Sequence, residues 1–243
     1  SIGTHGRLTD LIRGGLQGAA EIIATPDARF ADDPVGWMDT RLGVHLWSKQ
    51  RQVAESVRDH RRTAVHSCHS SGKSFLAARL VCWWLETTEP GEAYVVTSAP
   101  TEPQVKAILW REITRAHAKA SLRGRTNQKE WYLPTGMASE ELVAFGRKPG
   151  DLDEEAFQGI HARRVLVVLD EAAGISSTLF DAAGGLMANN ECRLLVMGNP
   201  DFSGSRFREV CRPGSDWNVI HIGAHDTPNF TGESIPDHLT HLL

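Results

Sequence analysis

Ten residues, VHSCHSSGKS at positions 65–74, carry the densest chemistry in this sequence. A β-branched lead-in runs into Ser70, Ser71, Gly72, Lys73 and Ser74, the pattern of a loop that wraps phosphate. Each residue type answers a need of that ligand. Gly72 admits close backbone approach, Lys73 brings positive charge to the β- and γ-phosphates, and Ser74 puts a hydroxyl on Mg²⁺. A helix starting here would add free N–H groups and the positive end of its dipole. The full pattern, GxxxxGK[ST], has glycine where this chain has Ser67. Small residues at Ser67, Ser70 and Ser71, with Cys68 and His69 between them, still allow a tight loop with inward N–H groups. ATP with Mg²⁺ is therefore the expected ligand of the whole stretch from 67 to 74.

A second constellation lies further on. VLVVLDE, residues 165–171, reads as a buried strand that delivers two carboxylates to the edge of a sheet. In a phosphate-loop enzyme Asp170 would hold Mg²⁺, commonly through water, and Glu171 would polarise the attacking water. The strand pleat aims the two acids in different directions, which suits separate tasks. A third apolar run, RLLVMGNP, ends at Gly198, Asn199 and Pro200. Asn199 is placed to hydrogen-bond a γ-phosphate or its attacking water, although Gly, Asn and Pro also serve simply to turn a chain.

These groups need a scaffold. From about residue 46, short β-branched runs at 63–66, 93–98, 142–145, 165–169, 193–197 and 218–222 alternate with helical spacing at 73–86 and 102–120. That rhythm indicates a mainly parallel sheet flanked by helices in three layers. About a hundred residues separate loop and acids, with AYVVTSA and ELVAF as strand candidates between them. There is room for a strand inserted between the loop strand and the acid strand, the mark of additional-strand catalytic-glutamate (ASCE) P-loop NTPases. Residues 1–43 read as a lead-in: an amphipathic helix, LTDLIRGGLQGAAEIIA, then a Pro/Asp-rich extended arm, TPDARFADDPVGW. Residues 44–243 read as the ATPase domain. The stretch 120–127, with Arg123 and Arg125, and the acidic run 151–155 read as surface loops.

Composition narrows the classes. The 243 residues, 41% hydrophobic, suffice for one sizeable core. A net charge of −4 leaves no global basic field, so any DNA contact must be local or shared among subunits. Cys68, Cys82, Cys192 and Cys211 lie far apart without metal or disulfide spacing, which fits a reducing compartment. His66 and His69 flank Cys68, but a metal there would compete with phosphate for the same space. No apolar run reaches the roughly 18 residues of a membrane span, and the first residues lack a signal-peptide layout, so no membrane partner is expected.

The ordered set LWSKQ, SCHSSGKS, VVTSAPT, VVLDEA and LLVMGNP resembles the ATPase domain of the terminase large subunit of tailed bacteriophages, over about residues 44–212. The resemblance implies a motor that hydrolyses ATP to pump double-stranded DNA through a portal protein into a procapsid. It would be a monomer in isolation and a homo-oligomeric ring on the portal. The terminase small subunit is an implied partner, and the host cytoplasm, transiently the procapsid, the implied location. Residue by residue, Gln50 matches an adenine-reading glutamine, with Trp47 nearby as core. Lys73 and Ser74 match the phosphate and magnesium ligands, Asp170 the carboxylate that holds magnesium through water and Glu171 the catalytic glutamate. Gly198, Asn199 and Pro200 match a coupling motif, while Thr97, Ser98 and Thr101 have a positioning role. Where many members carry an arginine acting on a neighbour's nucleotide, FQGIHARR has Gln158 before Gly159. Arg147, Arg163 and Arg164 remain candidates for that arginine finger. The family's nuclease domain, with its clustered carboxylates, is not expected in this chain. Arg123, Arg125, Arg206, Arg208 and Arg212 are candidate DNA contacts. Two other readings share the loop and acids: a helicase-like or other ASCE ATPase, and a nucleotide-dependent docking module with little turnover alone.

Overall fold

The computed structural model of the chain describes residues 25–135, 139–151, 160, 162–187, 189–199 and 204–237. The expected helix at 8–24, Gln158, Gly159, Pro200 and most of the acidic run at 151–155 lie outside them. All six expected apolar runs become strands: β1 (Arg62–Ser67), β2 (Ala93–Ser98), β5 (Glu140–Arg147), β6 (Arg164–Leu169), β7 (Arg193–Gly198) and β8 (Asn218–Ile222). They pair in parallel in the spatial order β5-β2-β6-β7-β1-β8. Two further strands, β3 (Arg125–Thr126) and β4 (Glu130–Pro134), extend the β5 edge in antiparallel fashion. Both escaped the sequence reading, the first because it is two residues long and the second because Trp131 and Leu133 alternate over too short a span.

Alternate residues of the strands feed two separate cores, as the pleat requires. Val65, Val95, Leu166, Val168, Leu195 and Met197 face one. That face is covered by α1 (Pro34–Leu42), α2 (Ser48–Asp59), α3 (Lys73–Glu86) and α4 (Arg111–Ala120), the last continuing a π-helical stretch, Gln104–Trp110. Ala64, Val96, Val167, Leu169 and Val196 face the other, under α5 (Ser177–Gly185) and α6 (Arg206–Val210). Helix α3 lies inside the first layer, and Leu80, Val81, Trp83, Trp84 and Leu85 are all buried. A helix that is apolar around its circumference has no solvent face to present. Among the described residues no helix is long and apolar enough to cross a membrane.

Two expectations need correction. The stretch TPDARFADDPVGW is not an extended arm. Asp33 caps α1 by accepting from Gly36 N at 2.8 Å, Pro34 opens the helix, and Trp37 and Met38 are fully buried. Nor is Arg123 on a surface loop, for its side chain is 4% exposed. Its backbone N and its Nε donate to Glu86 Oε1 at 3.1 and 3.3 Å, and its Nη2 donates to Leu85 O and Thr88 O, the latter at 3.0 Å. A cation thereby satisfies carbonyls at the C-terminus of α3, where the helix dipole favours it. Arg123 is thus withdrawn as a DNA contact.

Burial pushes the Glu86 carboxyl above its ordinary pKa, while Arg123 opposes that shift. Arg123→Ala removes the partner and strands the carboxylate, at a cost of about 3–5 kcal/mol. Urea denaturation at neutral pH should show that loss, and a large part of it should return in the Arg123→Met/Glu86→Leu double variant.

Candidate functional site

Because β7 lies between β6 and β1, the C-terminal ends of three parallel strands meet at one edge. They deliver Ser67 with the loop after it, Asp170 with Glu171, and Asn199. Ligands of open parallel sheets bind outside such strand ends. The strand between the loop strand and the acid strand is therefore β7, which follows the acids in the chain. AYVVTSA (β2) and ELVAF (within β5) lie on the far side of β6, so the sequence reading had the insertion right and the inserted strand wrong.

The loop geometry explains Ser67. Among described non-glycine residues only Ser70, Ser121 and Glu171 have positive φ, so position 67 imposes no demand for glycine. Ser67 is buried, and its Oγ is 2.5 Å from Ser71 Oγ, a hydroxyl bridge across the loop. Gly72 is different: φ is +80°, and a Cβ there would stand 2.7 Å from Gln50 Nε2. Gln50 donates to Ser71 O at 3.5 Å, which places α2 against the loop. Trp47 sits in the core, as expected.

Lys73 is only 8% exposed, and its Nζ donates to Cys68 O at 3.0 Å and Asn199 Oδ1 at 3.1 Å. Asn199 also meets His69, with Nδ2 2.8 Å from Nδ1 of the ring. Next to it, Ser74 Oγ donates to Asp170 Oδ2 at 2.6 Å. The other carboxylate oxygen, Oδ1, accepts from Glu171 N at 3.0 Å. Asp170 is 2% exposed, and burial holds its carboxyl above the ordinary pKa against the Ser74 hydrogen bond that favours the charged form. Two hard oxygens this close are the donor chemistry that Mg²⁺ takes. Among the described residues no group of three or more His, Cys, Asp or Glu could hold a metal ion. Glu171 adopts a left-handed conformation, φ +49°, and its carbonyl accepts from Gly174 N at 3.0 Å. Backbone strain of this kind costs on the order of 1–3 kcal/mol and persists only where the surroundings impose it.

Polar residues at the end of β2 and just beyond it make local contacts. Thr97 Oγ1 accepts from Trp110 Nε1 at 2.8 Å, and Thr101 exchanges hydrogen bonds with Gln104 at the helix start. Ser98 O accepts from Asp170 N at 2.8 Å, yet Ser98 Oγ is buried with no partner. Ser98 was expected only to position, and its orphan hydroxyl next to the acids is not signalled by a serine at a strand end. Another unread contact joins His66 to His221 of β8, Nδ1 to Nδ1 at 2.7 Å.

The three finger candidates separate. Arg147 ends β5 at the same edge as Asp170, and its Nη2 donates to Glu130 Oε1 at 2.7 Å. Arg163 and Arg164 stand at the start of β6, on the opposite edge. Arg125 pairs with Glu140, and Arg206 with Glu209 and Asp181, while Arg208 and Arg212 are exposed.

No protein-family model matches the chain. A protein of Enterobacteria phage P7 described as "Probable terminase, large subunit" is 27% identical over 221 residues, which cover 85% of this chain and 42% of that protein. This chain therefore spans less than half of that relative's length. The large terminase ATPase domain of Thermus phage P74-26 superposes with a TM-score of 0.62 at 18% identity, covering 84% of this chain and 94% of that one. A large terminase from a thermophilic bacteriophage, solved in complex with ADP, superposes with a TM-score of 0.50 at 14% identity over 72% of this chain and 44% of that one. In sequence the chain resembles part of a probable terminase large subunit, and in fold a large terminase ATPase domain.

Gly72→Ala should weaken ATP binding at least tenfold, since it adds a Cβ where φ is positive and Gln50 already stands. Isothermal calorimetry checks this, and Ser67→Gly should bind nearly as the parent does. Hydrogen bonds from Asn127 and Arg147 hold the Glu130 carboxyl down at about 2. A depressed pKa contributes stability that is present above the ordinary carboxyl range and lost as pH falls toward 2. Denaturation across pH 2–5 should show a shallower acid loss for Glu130→Gln than for the parent.

Proposed function

We propose that this chain is the ATP-hydrolysing part of a motor that drives double-stranded DNA into a viral procapsid. The observation that carries this reading is the pair of links from the loop helix to neighbouring strand ends, Ser74 to Asp170 and Lys73 to Asn199. Incoming ATP brings better acceptors for Lys73 than Cys68 O and Asn199 Oδ1, since anionic phosphate oxygens add a Coulomb attraction that neutral acceptors lack. Lys73 then turns to the phosphates, and Asn199 is released from it. Ser74 and Asp170 are the residues that would hold Mg²⁺, which would supply charge neutralisation to the phosphates. Glu171, which follows Asp170 in the left-handed turn after β6, orients the attacking water and takes up its proton. Loss of the γ-phosphate lets Asn199 return to Lys73, so the end of β7 reports the nucleotide state.

The adenine is assigned to Gln50, beside the loop. Arg147 is the favoured finger, because it alone of the three candidates lies at the nucleotide edge, and it would leave Glu130 to reach a neighbouring subunit. The ring forms on a portal protein, with the small subunit as the further packaging partner, in the host cytoplasm and transiently on the procapsid. The nuclease step is assigned to no residue of this chain. DNA is held through its phosphates, because a motor passing any sequence cannot depend on base edges. Arg125, Arg206, Arg208 and Arg212 are the contacts proposed.

Glu171→Gln should retain ATP binding and lower turnover by about 10² to 10⁴. Steady-state hydrolysis with a parallel binding titration separates the two effects, and near-parental turnover would remove Glu171 from its role. DNA affinity should fall steeply with salt, and a salt-insensitive binding curve would contradict the phosphate contacts.

A further inference from the structure

A recess of about 280 Å³ opens at the edge of the sheet opposite the nucleotide site. Trp84, Arg163, Arg164, Arg193, Asp32 and Glu191 line it. It lies at the starts of β6 and β7, a full strand length from Asp170 and Asn199, or roughly 15–20 Å at the usual rise per residue.

The three arginines are held in different ways. Arg193 is anchored: its Nε and Nη2 donate to Arg58 O at 3.2 and 2.8 Å, and its Nη1 to Asn190 O at 2.7 Å. Arg164 is the unbalanced one. Its guanidinium lies 4.3 Å over the Trp84 ring, and its Nη1 donates to the neutral hydroxyl of Thr88 at 2.6 Å. Among the described residues no carboxylate pairs with it. Burial and the neighbouring arginines disfavour its charge, which Glu191 and Asp32 only partly offset. Glu191 is committed instead to Arg163, whose contacts to Glu191 and Glu92 are long, 3.4 and 3.5 Å, on a side chain 59% exposed. The recess thus combines a half-buried cation with no carboxylate partner among the described residues, a second cation at the rim held only by long ion pairs, and room for a small oxyanion. Guanidinium pairs match tetrahedral phosphoryl oxygens through parallel N–H donors.

We propose that this recess is an oxyanion site that takes a phosphoryl group between Arg164 and Arg163. Its ligand is either a free phosphate or a phosphate of a nucleic-acid backbone. The site does not depend on the nucleotide reading of the other edge.

The test uses the full chain with Mg-ADP present, and the Arg163 and Arg164 variants, which leave the loop edge unchanged, assign to the recess whatever phosphate binding they remove. Calorimetric titration with inorganic phosphate, and a parallel titration with a double-stranded oligonucleotide at several salt concentrations, are run on the parent, Arg163→Gln and Arg164→Lys. Arg163→Gln changes an exposed side chain and should melt with the parent. Expected is saturable phosphate binding in the parent, weakened about tenfold or more in both variants, because a lysine reproduces neither the stack nor the paired donors. A concurrent fall in DNA affinity, with a salt slope reduced by about one per lost contact, assigns the site to backbone phosphate. Unchanged DNA binding assigns it to free phosphate. Absence of saturable phosphate binding in the parent, or equal binding in parent and both variants, overturns the proposal. So does a change confined to self-association, which would mean that an acidic side chain of a second copy fills the recess.

Discussion

Lys73 carries a charge into a place where water reaches only 8% of the residue, and a buried ammonium must find oxygen. It finds two, Cys68 O from its own loop and Asn199 Oδ1 from the neighbouring strand end. Both are neutral, so the charge is solvated but not balanced. Asp170, the nearest buried acid, is already held by Ser74 and by the backbone of Glu171. In the proposed function, a triphosphate is what would correct this imbalance. The loop and the end of β7 meet at that ammonium.

Strand order is what places the partners. The register pairs Ala64 with Val196 and Val167 with Leu194, so β1, β7 and β6 run side by side and end together. A sheet with the acid strand directly beside the loop strand would leave no position for an amide between Lys73 and Asp170. Inserting β7 supplies that position and makes one residue, Asn199, touch both the phosphate lysine and His69 of the loop. The turn after Glu171 presses close to the same strand end: a Cβ on Gly198 would lie 3.1 Å from Ala172 N. Acid, amide and loop are therefore mechanically adjacent, the arrangement needed if hydrolysis is to be felt beyond the site.

Much of this was legible from residue types. The six parallel strands and α3 were readable because short β-branched runs and a long apolar helix have few other uses. Lys73, Ser74, Asp170 and Asn199 were singled out by residue type and spacing, and the fold brings them together at one sheet edge. What escaped was whatever depends on pairing distant in sequence. The place of β7 between β6 and β1 is a matter of topology, not spacing. Arg123 looked like a solvated arginine because Glu86, its partner, lies 37 residues earlier, and no local pattern joins them. The Pro/Asp stretch at 25–37 looked extended because proline and aspartate mark turns, but here they form an N-cap and a first helical position. Ser67 looked like a defect, since a consensus records what is common, whereas the backbone at that position requires no glycine.

If the loop edge is a magnesium–triphosphate site, its affinity for ATP must depend on the metal through Ser74 and Asp170. The most direct measurement is ATP affinity with magnesium and with EDTA, in the parent and in Asp170→Asn. Expected is a gain of about tenfold or more from magnesium in the parent, equivalent to at least 1.4 kcal/mol, and little gain in the variant. An equal magnesium gain in both proteins would contradict the assignment of the metal to this edge, and with it the hydrolytic role built on Lys73, Ser74 and Asp170.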